Sequence, residues 1–556
     1  MHPIMLDSAC WFLPLKGRIE GIFSDNIRPG RYPTIKIALD VASILREHNC
    51  HMQIDLKQMN FGAPAAEREI ALGLTDYFVE SDAFKRLADR SKTIVLGNRG
   101  TGKSAIFKIL ADRARKSGAH VLELNPDHYS YEMLSSVLRS ENEGSWAKHG
   151  AFTSSWKYLI LVLVMQDLTR SGPRLKTGSA AKIYSFLRDH IEGAQESPIS
   201  VLISYLKRIE GFKVGPAEAS LKTSELAKLY RLQELEPLIP CIKELLNKHS
   251  LVVLVDELDK GWDSSEDAKA FVSGLFQAAI WLNELSNRLT VYISLRQELY
   301  DSIPALYDDT QKYRDLIETI RWDESSLLAV AAMRIKHSFP ELKTSENDEA
   351  WNRIFAETLS YRKTKSFNYL VDRTLYRPRE LIQFCSDAVA DARSENLIPI
   401  DYGVVSRVEL DYSSARQKDI SSEYRFQYPG LESIFEIFRG KVYLFERSDL
   451  EMLCLQVCTG ELRTDKSASW VLEQDQDFLI EVLWQVGFLR ARAIGGLKAF
   501  RRSGSSYVGP HQVSTLNLRT VSHFQVHPMF RAALGMREPK RDASQSQDDG
   551  SEESDA

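Results

Sequence analysis

An α/β core built on a largely parallel sheet, followed by a helical lid and a C-terminal winged-helix-like domain, is the fold class this sequence predicts. Three observations predict it. Short apolar runs, "KTIVLG", "HVLELN", "SLVVLVDELD" and "LTVYISLR", alternate with stretches of helical periodicity up to residue 296, the pattern of strands crossed over by helices. Residues 321 to about 415 place apolar side chains at helical spacing in "SSLLAVAAMRIKHSF" and "PRELIQFCSDAVADARSEN". After Gly430, "SDLEMLCLQV", "SASWVLE" and "DQDFLIEVLWQVGFL" read as three helices, and "FLRARAIGGLKAFRRSG" as two short strands around Gly495 and Gly496.

The 556 residues exceed what one core organises and imply about three or four domains. With 44% apolar and 26% charged residues the chain is ordinary for a soluble globular protein, and a net charge of −5 gives no whole-chain attraction for nucleic acid or anionic lipid. Any such binding needs a local patch. Six cysteines, Cys10, Cys50, Cys241, Cys385, Cys454 and Cys458, show no pairing rhythm, which fits a reducing compartment. The most apolar run, "YLILVLVM" at 158–165, is far shorter than the roughly 20 residues that cross a bilayer and reads as a buried helix or strand. The first residues lack the layout of a signal peptide, so a cytoplasmic protein without a membrane role is expected.

Residues 1–58 read as an N-terminal extension with no sustained periodicity before Ile35, and Met52 and Met59 stand as alternative start sites. The core is assigned to 59–320. Its approach, "AEREIALGLTDYFVESDAFKRLAD", is helical in spacing; "KTIVLG" is a strand; "SAIFKILADRARKSG" is a helix closed by Gly118; "HVLELN" is the next strand. About 120 mostly helical residues form an insertion before the strand "SLVVLVDELD".

Between the first strand and its helix stands "GNRGTGKSA". Gly97, Gly100 and Gly102 let the backbone take positive φ and approach an anion, so the amides of the loop, with Asn98, Arg99, Thr101 and Ala105, converge on phosphate oxygens at a helix N-terminus. Lys103 is placed for the β- and γ-phosphates and the Ser104 hydroxyl for Mg²⁺, completing the G-x-x-x-x-G-K-[ST] motif. The core is thus expected to be a P-loop NTPase. In "LVVLVDELD", Asp256 follows four apolar residues as a second holder of Mg²⁺, and Glu257 is placed to orient or deprotonate the attacking water. Asp259 and Asp263 read as helix caps or partners of Lys260. No N-K-x-D string follows to read guanine, so ATP is the expected nucleotide.

The phosphate loop, the "VDELD" box and "ISLRQELYDSI" together resemble AAA+ ATPases of the STAND and origin-recognition type. More narrowly, "NFGAPAAERE", "DELDKGWD", "DLIETIRWDESSLL" and "LYRPRELIQF" resemble a family of bacterial P-loop ATPases, over about Asn60 to Gly535. The resemblance implies a γ-phosphate sensor at Ser294, a catalytic arginine at Arg296 acting in cis or on a neighbouring subunit, and a nucleotide-sensing lid arginine at Arg379, or less directly Arg377. With Lys103 and Glu257, Arg296 and Arg379 make up the expected catalytic set.

The lid is assigned to 321–420, with a polar boundary from Ser413 to Gly430, and the winged-helix-like domain to 431–535. Its hairpin, 488–502, gathers Arg490, Arg492, Lys498, Arg501 and Arg502 around Phe488 and Phe500, a basic patch open to DNA or to protein docking. The acidic tail at 536–556 has the composition of a disordered segment. The functional expectation is an Mg²⁺-dependent ATPase whose nucleotide state drives conformational change or homo-oligomer assembly. Action on DNA or in genome defence stands beside two alternatives, a STAND-like signalling switch and an ATP-locked scaffold.

Overall fold

The structure, a computed structural model, describes residues 54–63, 66–70, 73–124, 145–170, 177–190, 234–259, 262, 264–304, 306, 313–359, 363–492, 507–513 and 516–539. The helical approach breaks into α1 (Ala66–Ile70), α2 (Leu74–Tyr77) and α3 (Asp82–Ala88). Ser81 caps α3 by accepting from the Phe84 N–H at 3.2 Å. There follow β1 (Ile94–Leu96), α4 (Lys103–Lys116), β2 (His120–Leu124), α5 (Ser145–Arg170), α6 (Gly178–His190) and α7 (Ile239–Leu246). The core is completed by β3 (Leu251–Val255), α8 (Glu266–Leu285), β4 (Leu289–Leu295), α9 (Gln297–Asp301) and β5 (Ile317–Thr319).

The five strands form one sheet in the order β2-β3-β4-β1-β5, and every pairing is parallel. Strand β3, "LVVLV", is buried throughout because both sheet faces are covered. Leu251, Val253 and Val255 join Trp156 of α5 and Phe271 of α8 on one face, while Val252 and Leu254 join Phe84 of α3 and Phe107 of α4 on the other. Each such side chain contributes about 1.5–3 kcal/mol by leaving water. The run at 158–165 lies within α5, and apolar residues on all sides of that helix account for its burial. The fifth strand, "IET", escapes a sequence reading because its three residues make no apolar run, unlike the equally short β1, "IVL".

The lid comprises α10 (Glu324–Ser338), α11 (Asn347–Asn352), α12 (Ser366–Val371), α13 (Pro378–Arg393) and α14 (Tyr402–Glu423). Asp323 and Ser326 form a capping box on α10, and Pro378 occupies the first position of α13, where no N–H is needed. Two expected boundaries need correction. Leu56 and Met59 are buried, and Arg393 donates to their carbonyls at 3.2 and 2.9 Å, so residues 55–59 pack with the lid and a division at 58 cuts a packed segment. The polar boundary expected from Ser413 to Gly430 starts too early: α14 continues to Glu423, and the buried Ser413 hydroxyl donates to the Met529 carbonyl at 2.5 Å.

The C-terminal domain contains α15 (Leu431–Glu436), β6 (Leu444–Glu446), α16 (Arg447–Cys458), a 3-10 segment Lys466–Glu473, α17 (Gln476–Gln485), β7 (Leu489–Arg492), β8 (Tyr507–Val508), β9 (His523–Val526) and α18 (Pro528–Arg531). Its strands form an antiparallel sheet ordered β6-β9-β7-β8. Of the three expected helices, the first and third are α16 and α17 and the second is the 3-10 segment; they pack with the sheet around stacked Phe435 and Phe488, whose ring centroids are 4.4 Å apart. Strand β7 pairs with Tyr507–Val508, and residues 493–506, which include the expected turn at Gly495 and Gly496, lie outside the described residues. Phe488 is core. Arg490 is 3% exposed and binds the Asp372 carboxylate at 2.6 Å, so it leaves the basic patch and ties this domain to the lid. Arg492 is exposed, whereas Lys498, Phe500, Arg501 and Arg502 fall outside the described residues, as do residues 540–556 of the acidic tail.

Among the described residues no helix is long and apolar enough to cross a membrane, and no group of three or more His, Cys, Asp or Glu is placed to hold a metal. Cys241, Cys385, Cys454 and Cys458 are buried free thiols.

Candidate nucleotide site

The sheet order determines what can meet at its carboxyl edge. Because β4 lies between β1 and β3, the loop after β1 faces the acids after β3 across the end of β4. One cavity of about 410 Å³ opens there, lined by Arg99, Gly100, Gly102, Lys103, Ser104, Ala105, Asp256, Glu257, Asp259, Arg296 and Arg379. That volume lies within the range of about 300–1,000 Å³ usual for small-molecule sites.

The loop has the backbone expected of a phosphate cradle. Gly100 and Gly102 take φ of 82° and 96°, and α4 begins at Lys103 directly after Gly102. Thr101 is buried and its hydroxyl donates to the Asn98 carbonyl at 2.9 Å, closing the turn. The Lys103 ammonium donates to the carbonyls of Gly97 and Asn98 at 2.7 and 3.0 Å, so it lies along the loop's inner rim. Burial lowers its pKa below the usual lysine range, opposed by the charges of Glu298 and Asp256.

At the end of β3, the Asp256 carboxylate accepts the Glu257 N–H at 2.8 Å. Glu257 holds a left-handed φ of 57°, a conformation that costs a side-chain-bearing residue about 1–3 kcal/mol and recurs at functional positions. This backbone turn directs two successive acids into one cavity. Asp259, expected to cap the next helix or meet Lys260, pairs with Arg296 and lines the cavity. Ser294 departs as well. It is 1% exposed inside β4, in register with Val95, its Oγ has no hydrogen-bond partner, and it is not among the residues that line the cavity. Arg296, at the N-cap of α9 just beyond the end of β4, lines the cavity.

The two lid arginines separate. The Arg379 backbone N–H donates to the Gly100 carbonyl at 3.3 Å and its side chain lies over that glycine. Arg377 is 4% exposed, bound to Glu423 at 2.7 Å and not among the residues that line the nucleotide cavity. Burial opposes its charge, but the carboxylates of Glu423 and Glu380 outweigh burial and keep the guanidinium charged.

Several contributors are invisible to motif reading. The Trp322 indole donates to the Thr101 carbonyl at 2.9 Å and pins the loop from the strand-to-lid connection. Leu74, Phe78, Val79, Ile106, Val330 and Ile382 supply an apolar end to the cavity. Arg334 donates to the Phe61 carbonyl at 2.9 Å and to Glu69 at 2.6 Å, joining α10 to α1 at that end. Trp322, Ile382 and Glu69 lie in the strings "IRWDESS", "LYRPRELIQF" and "NFGAPAAERE", but nothing in those strings shows that they meet at one cavity.

The residues fit a nucleotide with its divalent cation. A Cβ at Gly97 would meet the Thr101 hydroxyl at 2.6 Å and one at Gly100 would meet Arg379 at 3.1 Å, so backbone alone forms the cradle wall. Ser104 and Asp256 offer the hard oxygen donors that Mg²⁺ takes alongside phosphate and water.

Comparison with known proteins matches two segments of the chain. Residues 61–127, from the pre-strand helices through β2, match the ORC-CDC6-like family model. Residues 325–421 match the FunZ-associated C-terminal helical domain, which here is the lid. The transposon gamma-delta 80.3 kDa protein of Escherichia coli (strain K12) is 26% identical over 393 residues, covering 70% of this chain and 55% of its own length. The Allergen Alt a 2 of Alternaria alternata is 31% identical over 121 residues, 22% of this chain and 62% of its own length. The chain thus spans little more than half the length of these relatives. Two structures of the Aeropyrum pernix ORC2 protein align at 11% identity: the ADPNP-ADP complexes cover 84% of this chain and 92% of theirs with a TM-score of 0.34, and the ADP form 86% and 95% with 0.26. The chain resembles the P-loop ATPases of the origin-recognition type, with the matched segment building its phosphate loop.

Proposed function

We propose that this protein binds and hydrolyses ATP with Mg²⁺ and uses nucleotide state to change how its lid and C-terminal domain engage the core. The observation that carries the reading is one cavity bringing Lys103, Ser104, Asp256, Glu257, Arg296 and Arg379 together from the loop after β1, the ends of β3 and β4, and the lid.

The apolar end takes the base. Amides of the loop and the first turn of α4 hold the phosphates, with Lys103 adding a localised charge. Ser104 and Asp256 hold Mg²⁺, which when bound neutralises charge on the phosphate oxygens. Glu257 orients the attacking water and accepts its proton, and Arg296 and Arg379 lie where charge develops on the transferring group. Because Arg379 belongs to α13, nucleotide contact and lid position are mechanically one event.

The test is isothermal titration of the full chain with ATP, ADP and GTP, with phosphate release measured for wild type and Glu257→Gln. ATP and ADP are expected to bind in preference to GTP, and Glu257→Gln to keep ATP affinity while losing at least about 100-fold in turnover, the scale of a positioned general base. Duplex DNA is included as an effector because the ORC-CDC6-like match and the relative bearing a transposon's name point to it. Light scattering with and without ATP reads assembly. Absence of adenine nucleotide binding sinks the proposal.

A further inference from the structure

Core and lid meet a second time beside the phosphate loop, where the buried carboxylates Glu298, Glu380 and Glu423 share the guanidinium groups of Arg296, Arg377 and Arg416. Glu298 on α9 is 8% exposed, and neither carboxylate oxygen has a hydrogen-bond partner. Its ion pair is with Arg296 at 3.6 Å, and that guanidinium also holds Asp259. Glu423, the last residue of α14, gives one oxygen to Arg377 at 2.7 Å and leaves the other unpartnered. Arg377 in turn lies 3.6 Å from Glu380. Burial first and the Glu423 charge second push the Glu298 carboxyl up to about 7, against Arg296 and Lys103. Tyr424 and Arg425 follow Glu423 at the same seam.

A cavity of about 300 Å³ separates the two sides, lined by Glu298, Glu423, Asp259, Arg296, Arg425 and Arg99. Arg99 is the unusual member. It is the third residue of the phosphate loop and exposed, and no described residue pairs with it by hydrogen bond or ion pair. It also lines the nucleotide cavity and a further one of about 250 Å³ shared with Glu380, Asp419 and Glu423. One unpaired guanidinium therefore borders both a phosphate cradle and two carboxylates in need of a cation.

We propose that Arg99 is a switch arginine with two alternative sets of partners, nucleotide phosphate in the loop and the Glu298–Glu423 carboxylates in the seam, so that occupancy of the loop is reported to the end of α14 and from there to the C-terminal domain. The switch rests on the nucleotide-binding reading of the first cavity. In the seam, Arg99 supplies charge-assisted hydrogen bonds to oxygens that have none, in a low-dielectric setting. Drawn to phosphate, it leaves two carboxylates facing each other, and the pair takes up a proton. Nucleotide binding is then linked to proton uptake, and affinity improves as pH falls through the window between the Glu298 pKa with Arg99 present and its higher value with Arg99 withdrawn.

Two measurements on the full chain judge this. Titration with the non-hydrolysable analogue AMP-PNP at pH near neutrality, in buffers of differing ionisation enthalpy, counts protons. Wild type is expected to take up a substantial fraction of one proton per nucleotide, and Glu298→Gln to bind with that uptake abolished. No uptake by wild type, or equal uptake in the variant, overturns the switch. Unfolding midpoints against pH, without nucleotide, compare wild type with Arg99→Ala. Arg99 in the seam lowers the Glu298 pKa, so its removal makes the loss of stability with rising pH deeper and carries it to higher pH. Superimposable profiles overturn the seam contact whether or not AMP-PNP binds, and AMP-PNP that fails to bind defeats the nucleotide reading alone.

Discussion

Gly100→Ala, set against Gly118→Ala, tests whether the lid's approach to the phosphate loop matters for nucleotide binding. Gly100 and Gly118 have nearly the same φ, 82° and 81°. An added Cβ therefore carries the same left-handed penalty at both sites, about 1–2 kcal/mol. Their surroundings differ. At Gly118 nothing lies within 4 Å, whereas at Gly100 the new carbon meets Arg379 Cβ at 3.1 Å and must displace α13 by a few tenths of an ångström. That shift also weakens the Arg379 N–H to Gly100 carbonyl bond, now 3.3 Å. A backbone bond is worth about 0.5–1.5 kcal/mol net, so together with the steric term Gly100→Ala is expected to lose ATP affinity by roughly tenfold or more. Gly118→Ala is expected to lose a comparable amount of stability and no affinity. Urea unfolding reports the shared conformational term, and calorimetric titration with ATP reports the difference. Equal ATP affinities in the two variants would refute the claim that lid and loop act together.

The remaining predictions concern what holds the site in shape. Arg334→Ala removes the partner of Glu69 in a pair whose side chains are 7% and 6% exposed, and is expected to cost about 3–5 kcal/mol in urea unfolding. The double change Arg334→Met with Glu69→Gln should cost distinctly less, since no buried charge is stranded, and an equal cost would show that packing rather than charge accounts for the loss. Trp322→Phe keeps the ring against the loop but leaves the Thr101 carbonyl without its donor, with an expected loss of about 1–3 kcal/mol. Wild-type fluorescence should also change on ATP addition more than that of Trp322→Phe, because Trp322 borders the cavity.

The lid's placement explains why its arginines divide as they do. Pro378 starts α13 with its N-terminal turn against the loop, so Arg379 reaches Gly100 while Arg377, at the preceding N-cap with extended backbone, turns back to Glu423 and Glu380. Two arginines separated by one residue in "YRPRE" cannot be told apart by type or spacing. Their roles diverge because a helix start reverses the direction of successive side chains.

By itself the sequence determined the parts whose chemistry is local. A glycine-bent loop between a strand and a helix has few backbone solutions, so the positive φ of Gly100 and Gly102 was legible in the string, whereas Gly97, expected to share it, does not. An all-apolar strand ending in acids likewise announced Asp256 and Glu257, and helical periodicity outlined the lid. Only tertiary structure decided the rest. The strand order inserted β4 between β1 and β3, bringing Arg296 and Asp259 to the cavity and leaving Ser294 inside the sheet. Folding buried Arg490 against Asp372 across the lid and removed it from a surface patch. It also assembled the apolar end of the cavity from α2, α4, α10, α13 and the chain after α2. The physical reason is range. Propensity, capping and loop geometry act over a few residues and leave a mark in the string, whereas burial and charge pairing act between residues hundreds of positions apart and exist only once the chain has closed on itself.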